Sequence, residues 1–272
     1  MLEYDMISLE RGTLMIFETH AHYDDEAFDI DRDELLNSLY DNGIEYVVNI
    51  SSAFDTAEKT LELMEKYPFI YGAMGIHPDN TKDFNEENFR WLKEKARHPK
   101  TVAIGEIGLD YYWDSTDRLV QKEWFARQMD LARELKLPMV IHSRDAANDT
   151  IEMMKEAKAE EIGGIIHCFG YGVEQAKLYL NKGFYLGIGG VVTFKNGRKL
   201  KEVVEYAPLS QLVLETDCPY LSPVPYRGKR NSSLYLPYIV EEIARIKNVD
   251  YNTVVQATSE NAKKLYKIDD KR

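Results

Sequence analysis

Six side chains of the types that bind catalytic metal ions each lie at or near the end of a short apolar run. They are His20, His22, Glu106, His142, His167 and Asp217. Imidazole nitrogens and carboxylate oxygens are common ligands of catalytic ions, which keep one coordination position open for water or substrate. A fold that gathers the ends of these runs would turn six scattered residues into one metal site.

The spacing of the first two histidines favours this interpretation. His20 and His22 stand two residues apart, and side chains alternate with a period of two along a β-strand, so both rings point to one side. Taken singly, a histidine is more often a core or surface residue than a ligand. Glu106 and Asp217 are more informative, because an acid in a buried apolar strand is costly unless it is paired or bound to a metal.

The elements that must position these residues alternate between strand-like and helix-like patterns. Eight apolar runs begin near residues 16, 46, 70, 102, 138, 164, 184 and 212, each is followed by a helical pattern, and one more helix ends the chain. Such alternation predicts parallel βαβ units with a sheet buried on both faces. Eight units predict a single (β/α)8 TIM barrel, an α/β fold whose active site lies at the carboxyl ends of its strands. An open doubly wound sheet is the alternative.

Composition excludes several classes of protein. A net charge of −12 argues against a broad basic face for duplex nucleic acid, although an acidic pocket collects divalent cations. The sequence has no run of about 18 apolar residues to span a membrane and no apparent signal peptide. With only two cysteines we expect a cytoplasmic protein, and no stable protein partner is evident. Cys168 and Cys218 are predicted to be small buried packing residues.

The first fourteen residues look separate from the domain. Residues 3–14 show no clear period, and the apolar pair Ile16-Phe17 follows Met15 directly. We therefore expect residues 1–14 to be a non-native or disordered extension upstream of a start at Met15. The barrel domain would then span residues 15–272.

At the candidate ligands the sequence resembles the TatD family of metal-dependent hydrolases, which is similar to the amidohydrolase superfamily in its barrel. The resemblance runs from Phe17 to about Tyr266 in an ordered series of blocks. The blocks are Glu18-Thr-His-Ala-His22, Gly75-Ile-His-Pro78, Ile104-Gly-Glu-Ile-Gly-Leu-Asp-Tyr-Tyr112, Val140-Ile-His-Ser-Arg-Asp145, Ile166-His-Cys-Phe169, Leu214-Glu-Thr-Asp-Cys-Pro-Tyr-Leu221 and Arg227-Gly-Lys-Arg-Asn231. Two positions depart from the family pattern. Glu18 replaces the usual Asp, and Ser232-Ser233 replaces a frequent Glu-Pro.

The resemblance implies a centre of two divalent ions. His20, His22 and Asp217 would hold one ion, His142 and His167 the other, and Glu106 would bridge them. The imidazole-rich set suits Zn, Mn, Fe or Ni, whereas the family is often Mg-dependent, so the identity of the ions stays open. Family members act as deoxyribonucleases, some of them as 3′→5′ exonucleases on single-stranded DNA.

The predicted reaction is hydrolysis of a phosphodiester bond. A water bridging the two ions would ionise to hydroxide, and Asp217 would accept its proton as a general base. We predict substrate contacts from four residues around the mouth. They are His77 and Arg144 for phosphate, Tyr112 with its neighbours Tyr111 and Trp113 for base stacking, and Arg230 from a basic cluster with Lys195, Arg227 and Lys229. The plainer alternative is a salt bridge to Asp145 or another acid for Arg144, and a packed or solvated loop residue for the others.

Two other functions fit the same residues. The first is hydrolysis of another ester, an amide or a lactone on the same centre, for example a D-aminoacyl-tRNA ester, because a fold does not fix its substrate. The second is a binding protein that keeps the metals for structure. Structural sites are usually closed and rich in cysteine, which argues against the second alternative.

Overall fold

Eight parallel strands lie side by side in the part of the chain that the structure, a computed structural model, describes, namely residues 14–113 and 115–268. Their short apolar sequences are buried on both faces, as expected of strands covered by helices. The strands are β1 (Ile16–Ala21), β2 (Ile44–Ile50), β3 (Ile70–Ala73), β4 (Thr101–Asp110), β5 (Met139–Arg144), β6 (Gly164–Ile166), β7 (Tyr185–Ile188) and β8 (Leu212–Leu214).

Helices connect successive strands, and several begin at the polar cap that their sequence provides. The side chains of Asn85, Asp117 and Asp250 each accept hydrogen bonds from the first backbone N–H groups of a helix. The described helices are α1 (Arg32–Ser38), α2 (Phe54–Lys66), α3 (Glu86–Lys95), α4 (Arg118–Leu135), α5 (Ala147–Glu156), α6 (Val173–Leu180), α7 (Arg198–Tyr206), α8 (Leu236–Lys247) and α9 (Tyr251–Tyr266).

Each strand pairs with the next strand of the sequence, which gives the order β1 to β8. A doubly wound sheet would reverse its winding at one point, so this order confirms the predicted barrel. Between β8 and β1 the ladder is reduced to one bridge, between Ala21 and Cys218. It is flanked by hydrogen bonds from His22 N to Cys218 O at 2.9 Å and from Asp217 N to His20 O at 3.0 Å. We call this junction the seam.

Alternate strand positions divide between two apolar clusters. In β2, Val47 packs in the larger cluster with the helices, whereas Val48 packs in the smaller cluster inside the barrel. The predicted extra helix, α9, adds Ala262 and Tyr266 to the inner cluster, and the Tyr266 ring lies 5.9 Å from that of Phe17. Since Phe17 is near the start of β1, α9 covers the amino-terminal end of the barrel and leaves the opposite end for the site.

Every strand except β2 ends one to three residues away from the end that the hydrophobic pattern predicts. β4 continues to Asp110 and pairs with β5 as far as Arg144, although the predicted strand ended at Ile107. β6 and β8 end earlier, at Ile166 and Leu214. Hydrophobic pattern marks apolar positions, whereas a strand ends where backbone pairing ends, and here the two do not coincide. Glu106 therefore lies inside its strand and not at its end.

The described residues do not include most of the predicted extension. Residues 1–13 lie outside them, so the expected start at Met15 stays a prediction. Among the described residues, no helix combines the length and the apolar character needed to cross a bilayer.

Candidate metal centre

The end of β1 brings two imidazoles together. His20 lies in β1, His22 follows its last residue, and the two Nε2 atoms are 3.1 Å apart. Both residues are buried, and His20 is fully inaccessible to solvent. The spacing of two thus places both rings on one side, as the alternation of side chains predicts.

The two carboxylate oxygens of Glu106 face two different groups of atoms. In what we call the first group, Glu106 Oε2 lies 3.4 Å from His20 Nε2 and 3.9 Å from His22 Nε2. Asp217 Oδ1 completes it, at 3.6 Å from His20 Nε2 and 3.3 Å from His22 Nε2. Two imidazoles and two carboxylates therefore surround one small space.

The second group surrounds the other oxygen of Glu106. Glu106 Oε1 lies 2.7 Å from His142 Nδ1 and 3.3 Å from His167 Nε2. His77 Nε2 is 3.8 Å from the same oxygen, so His77 also reaches this group. The β4–β5 pairing is irregular at this point, as in a β-bulge, and such irregularities re-aim side chains. The structure thus brings all six predicted ligands together around one glutamate.

Protons on the imidazole rings balance the negative charge of the carboxylates in these two groups. Burial opposes ionisation of Glu106, but His167, His142 and His20 hold the pKa of Glu106 well below its usual range. Burial also lowers the pKa of His142, but Asp110 and Glu106 outweigh it and raise the pKa to about 9. In the absence of a cation, this imidazole is therefore protonated at neutral pH.

Two of the rings have outer partners that fix which nitrogen faces the cluster. His22 Nδ1 lies 2.9 Å from the carbonyl oxygen of Ile50, and His142 Nε2 lies 2.9 Å from Asp110 Oδ2. Ring nitrogens that face acceptors carry the proton, which leaves the inner nitrogens of neutral rings free to bind a metal. Asp110 was not predicted as a site residue, because the predicted strand ended at Ile107. The structure extends β4 to Asp110 and buries this acid in the same strand as Glu106.

Asp217 lies beyond the strand that delivers it. Its φ of 57° is in the left-handed region, which is uncommon for a residue other than glycine. The hydrogen bond from Asp217 N to His20 O ties it across the seam to β1. Backbone strain at such a residue is often found at functional sites.

The two departures from the family pattern contact each other. Glu18 is fully buried, and its Oε2 accepts hydrogen bonds from Ser233 Oγ at 2.9 Å and Thr216 Oγ1 at 2.7 Å. Its Oε1 accepts from His20 N at 3.1 Å and Thr216 N at 2.9 Å. Burial raises the pKa of Glu18 to about 8 despite these donors. Glu18 therefore supports the backbone of the first group across the seam, and not its rings.

The prediction for the two cysteines is confirmed for one of them. Cys218 is fully buried in the apolar core. Cys168 is only half-buried, and its sulfur lies within 4.8 Å of ligand atoms of His167 and Asp217, so the prediction is not confirmed for it. Strand alternation does not fix its direction, because β6 ends at Ile166 and Cys168 has a φ of 44°.

An aromatic and cationic surface lies beside the six predicted ligands. It is formed by the loop after β4 and by the last residue of β5. The guanidinium of Arg144 lies 3.8 Å from the ring centroid of Tyr112 and 5.5 Å from that of Trp113. Tyr112 is 53% exposed and Trp113 61% exposed, so their rings are open to a ligand. We call these three residues the aromatic wall. Asp110 Oδ1 accepts hydrogen bonds from both Tyr112 N and Trp113 N, so the residue that holds His142 also holds the wall.

Other residues predicted at the mouth have structural partners. Arg230 donates to both carboxylate oxygens of Asp31, at 2.7 and 2.6 Å, and to Ala27 O at 2.8 Å. The structure therefore does not bring its guanidinium into either group. Tyr111 packs under its loop, where its hydroxyl donates to Asp149 at 2.5 Å. The guanidinium of Arg227 lies 3.8 Å from the ring centroid of Phe194.

The donor set fits divalent cations. Two imidazole nitrogens 3.1 Å apart cannot both donate to each other, and His22 already has its Nδ1 on a carbonyl oxygen. Once its Nε2 proton is lost, the His22 ring therefore presents a lone pair toward the space shared with Asp217 and Glu106. Imidazoles with carboxylates, and an opening at a barrel mouth, are typical of catalytic metal sites.

Comparison with known proteins shows similarity along nearly the whole chain. A sequence model of the family described as TatD related DNase matches residues 17–267. The uncharacterized metal-dependent hydrolase YabD of Bacillus subtilis (strain 168) is 44% identical over 254 residues, which cover 93% of this chain and 100% of that protein. The 3'-5' ssDNA/RNA exonuclease TatD of Rahnella sp. (strain Y9602) is 30% identical over 263 residues, which cover 94% and 100%. The crystal structure of YjjV, a TatD homologue from Escherichia coli K12, has a TM-score of 0.88 at 25% identity and covers 93% of this chain and 98% of that one.

Proposed function

This chain belongs to the TatD-related DNase family of metal-dependent hydrolases, and we propose that it acts on single-stranded DNA as a 3′→5′ exonuclease. The observation that carries the proposal is the arrangement around Glu106, whose two oxygens face two separate groups of nitrogen and oxygen atoms. That arrangement supports two divalent ions, drawn from Mg, Mn, Zn, Fe or Ni. The Rahnella relative, named as an exonuclease of single-stranded DNA and RNA, supports the substrate class. We expect the reaction to take place in the cytoplasm.

In this proposal His20, His22 and Asp217 would hold one ion, His142 and His167 would hold another, and Glu106 would offer one oxygen to each. Two ions in such a centre supply a nucleophile at neutral pH and relieve charge on the phosphate. The residues then have to bind the ions and move one proton.

Asp217 is proposed to accept that proton. Burial raises the pKa of Asp217, but the hydrogen bond from His22 and the nearby His167 and His20 outweigh it and hold the pKa below its usual value. The carboxylate is therefore ionised at neutral pH, as both a ligand and a proton acceptor must be. Only Oδ1 has the contacts described above, which leaves Oδ2 to receive a proton.

His77 is proposed to donate to the phosphate or to the leaving oxygen. Its Nδ1 accepts a hydrogen bond from Asp79 N at 3.2 Å, so the proton of the neutral ring is on Nε2, the nitrogen that faces Glu106. Burial and the nearby His142 lower the pKa of His77 to about 3, which keeps the ring neutral. A neutral ring donates one hydrogen bond without adding a positive charge that would repel the ions.

The aromatic wall is proposed to bind the strand. Each nucleobase has a flat face, and stacking on an aromatic ring is worth about 1–3 kcal/mol per base without sequence preference. Arg144, held over Tyr112, adds a positive charge beside this surface. Arg230 would have to leave Asp31 to contact a phosphate, so its predicted substrate role has less support than that of the wall.

A substrate panel tests the proposal. The metal-free protein is supplied with Mg, Mn, Zn or Ni and given 5′-labelled single-stranded DNA, RNA, an aryl phosphate ester and an aminoacyl-tRNA. We expect a ladder of DNA products shortened from the 3′ end. Cleavage of only the aminoacyl ester would favour the alternative hydrolase, and no turnover of DNA with any of these ions would refute the nuclease.

A matched pair of variants tests the role of Asp217. Asp217→Asn should abolish hydrolysis, because the amide cannot accept the proton, while the circular dichroism spectrum stays unchanged. Asp145→Asn is the control. Asp145 has a φ of 52°, close to the 57° of Asp217, and asparagine tolerates this left-handed conformation at both positions. Asp145→Asn should keep the full rate, and an undiminished rate for Asp217→Asn would remove the proposed base.

A further inference from the structure

Two of the four histidines in the first and second groups have no acceptor assigned to their outer nitrogen. His22 uses Ile50 O and His142 uses Asp110, as described above. For His20 and His167, Nε2 faces Glu106 and Nδ1 points away from it. A ring whose outer nitrogen has no acceptor is free to carry its proton on either nitrogen, and a proton on Nε2 would block metal binding.

Buried polar atoms without a hydrogen bond gather at this place. Within the described residues, five buried side-chain atoms have no such partner, and three of them are His20 Nδ1, His167 Nδ1 and Glu215 Oε2. A nitrogen of His20, a nitrogen of His167 and an oxygen of Glu215 lie within 4.8 Å of one another. His167 Nδ1 is 3.4 Å from Glu215 Oε1, close enough for attraction between charges but not aligned as a hydrogen bond.

The position of the Glu215 carboxylate is fixed by its surroundings. Glu215 is fully buried, and its Oε1 accepts a hydrogen bond from Cys168 N at 2.6 Å. Its Oε2 occupies the space above Gly187 of β7, where an added Cβ would collide with the carboxylate. The missing side chain at Gly187 therefore makes the room that Glu215 fills.

We propose that Glu215 is a positioning residue that accepts the Nδ1 protons of both His167 and His20. One carboxylate would then fix the tautomer and the orientation of one ring in each group. The rings of His20 and His167 are stacked, with centroids 3.5 Å apart and planes 16° apart, so a rotation of one ring displaces the other. Glu215 thereby couples the two halves of the centre. This inference rests on the proposed metal centre and adds to it a residue that contacts no substrate.

The variant Glu215→Gln tests the proposal with little change of shape. Cys168 N requires an acceptor, so the amide oxygen should take the place of Oε1 and the amide NH₂ the place of Oε2. If Oε2 is the acceptor for His20, as proposed, the NH₂ group faces His20 as a donor, and the ring proton of His20 should move to Nε2. In metal-free protein with ¹⁵N-labelled histidine, long-range ¹H–¹⁵N spectra report which ring nitrogens carry a proton in each of the six histidines. We expect the wild-type Nδ1–H form of His20 to be lost, with a smaller change at His167 and none at His22 or His142.

Titration with Mn²⁺ alone gives a second measurement. Replacement of partners that orient metal-binding histidines typically lowers metal affinity about 10- to 100-fold. We expect a loss in this range for Glu215→Gln. Gly187→Ala keeps the carboxyl group but displaces it, and should cause a similar loss if Glu215 acts through its position.

Glu18→Gln is the matched control, because Glu18 is an equally buried glutamate whose hydrogen bonds go to backbone and hydroxyl groups of the seam. It should leave the four histidine tautomers as they are. If Glu215→Gln changes neither a tautomer nor the Mn²⁺ affinity, or changes all four rings alike, Glu215 is not the shared acceptor. Failure of the wild-type protein to bind Mn²⁺ would instead overturn the proposed metal centre. Neither the ¹H–¹⁵N spectra nor the Mn²⁺ titration depends on nuclease activity.

Discussion

Metal binding should release protons from this centre, and the number released can be worked out from the structure. Burial lowers the pKa of His22, but Asp217, Asp24 and Glu106 outweigh it and raise the pKa to about 10, while the pKa of His142 is about 9. Both rings are therefore protonated at pH 7 when no metal is bound, and both must lose a proton to become ligands. Filling both groups should release these two protons at pH 7. It should release a further proton to the extent that His167 is protonated, because burial lowers the pKa of His167 but Glu106 and Glu215 outweigh it and raise that pKa.

The variant Asp110→Asn isolates one of the two protons. The hydrogen bond to Asp110 is the largest of the effects that raise the pKa of His142. Without that carboxylate the His142 ring should be neutral near pH 8, whereas His22, which does not contact Asp110, should keep its proton. Proton release at pH 8 should fall by about one. Near pH 8, the overall affinity for the two ions should therefore rise with pH about 10-fold less per pH unit in the variant than in the wild type.

Isothermal titration with Mn²⁺ in buffers of different ionisation enthalpy measures the released protons directly. Asp149→Asn is a suitable control, because Asp149 is also paired but with Tyr111 and Lys122, outside the centre. It should release as many protons as the wild type. Equal release from Asp110→Asn and the wild type, or no release at pH 7 from either, would show that the carboxylates do not hold protons on these rings.

Three further predictions follow from the same geometry. Glu106→Ala should lower metal content from about two ions per chain to less than one by elemental analysis, and unchanged content would contradict the bridging role. Tyr112→Ala should raise KM for single-stranded DNA about 5- to 150-fold, the equivalent of about 1–3 kcal/mol for one stacked base, with little change in kcat. An equal KM would remove Tyr112 from the substrate path. The metal-free protein should lose stability to urea as pH rises from about 6.5 to 10. The raised pKa values of His22 and His142 contribute stability that is complete below the unfolded value of 6.5 and lost as each folded value is passed. A stability that is constant or rises over this range would contradict those values.

The gathering of the six residues could be predicted because it depends on regular structure. A period of two fixes the side to which His20 and His22 point, and a barrel fixes the end at which its strands deliver residues. Neither the strand period nor the barrel geometry depends on the conformation of a loop. The cost of burying an acid in an apolar strand also drew attention to Glu106 and Asp217.

The hydrogen-bond partners of the site could not be predicted in the same way, because they depend on where backbone pairing stops. Cys168 reaches the cluster only because β6 ends two residues before it and the chain turns with a positive φ. Arg230 pairs with Asp31, a residue 199 positions away in the sequence, and no local pattern indicates that pairing. Glu215 follows β8 directly, and its contacts depend on the empty space at Gly187 in the neighbouring strand.

The first group lies at the only junction between neighbouring strands where the described sheet is nearly unpaired. His20 and His22 come from the first strand and Asp217 follows the last, so this group forms only when the seam closes. The donors that satisfy Glu18 come from both sides of the seam, His20 N on one and Thr216 on the other. A fully buried carboxyl group is costly without such partners, so seam closure and support of Glu18 stabilise each other. The second group, by contrast, is carried by β4 to β6, which pair at several positions on each side despite the irregularity beside Glu106. Weakening the seam should therefore lower metal affinity in the first group before it affects the second.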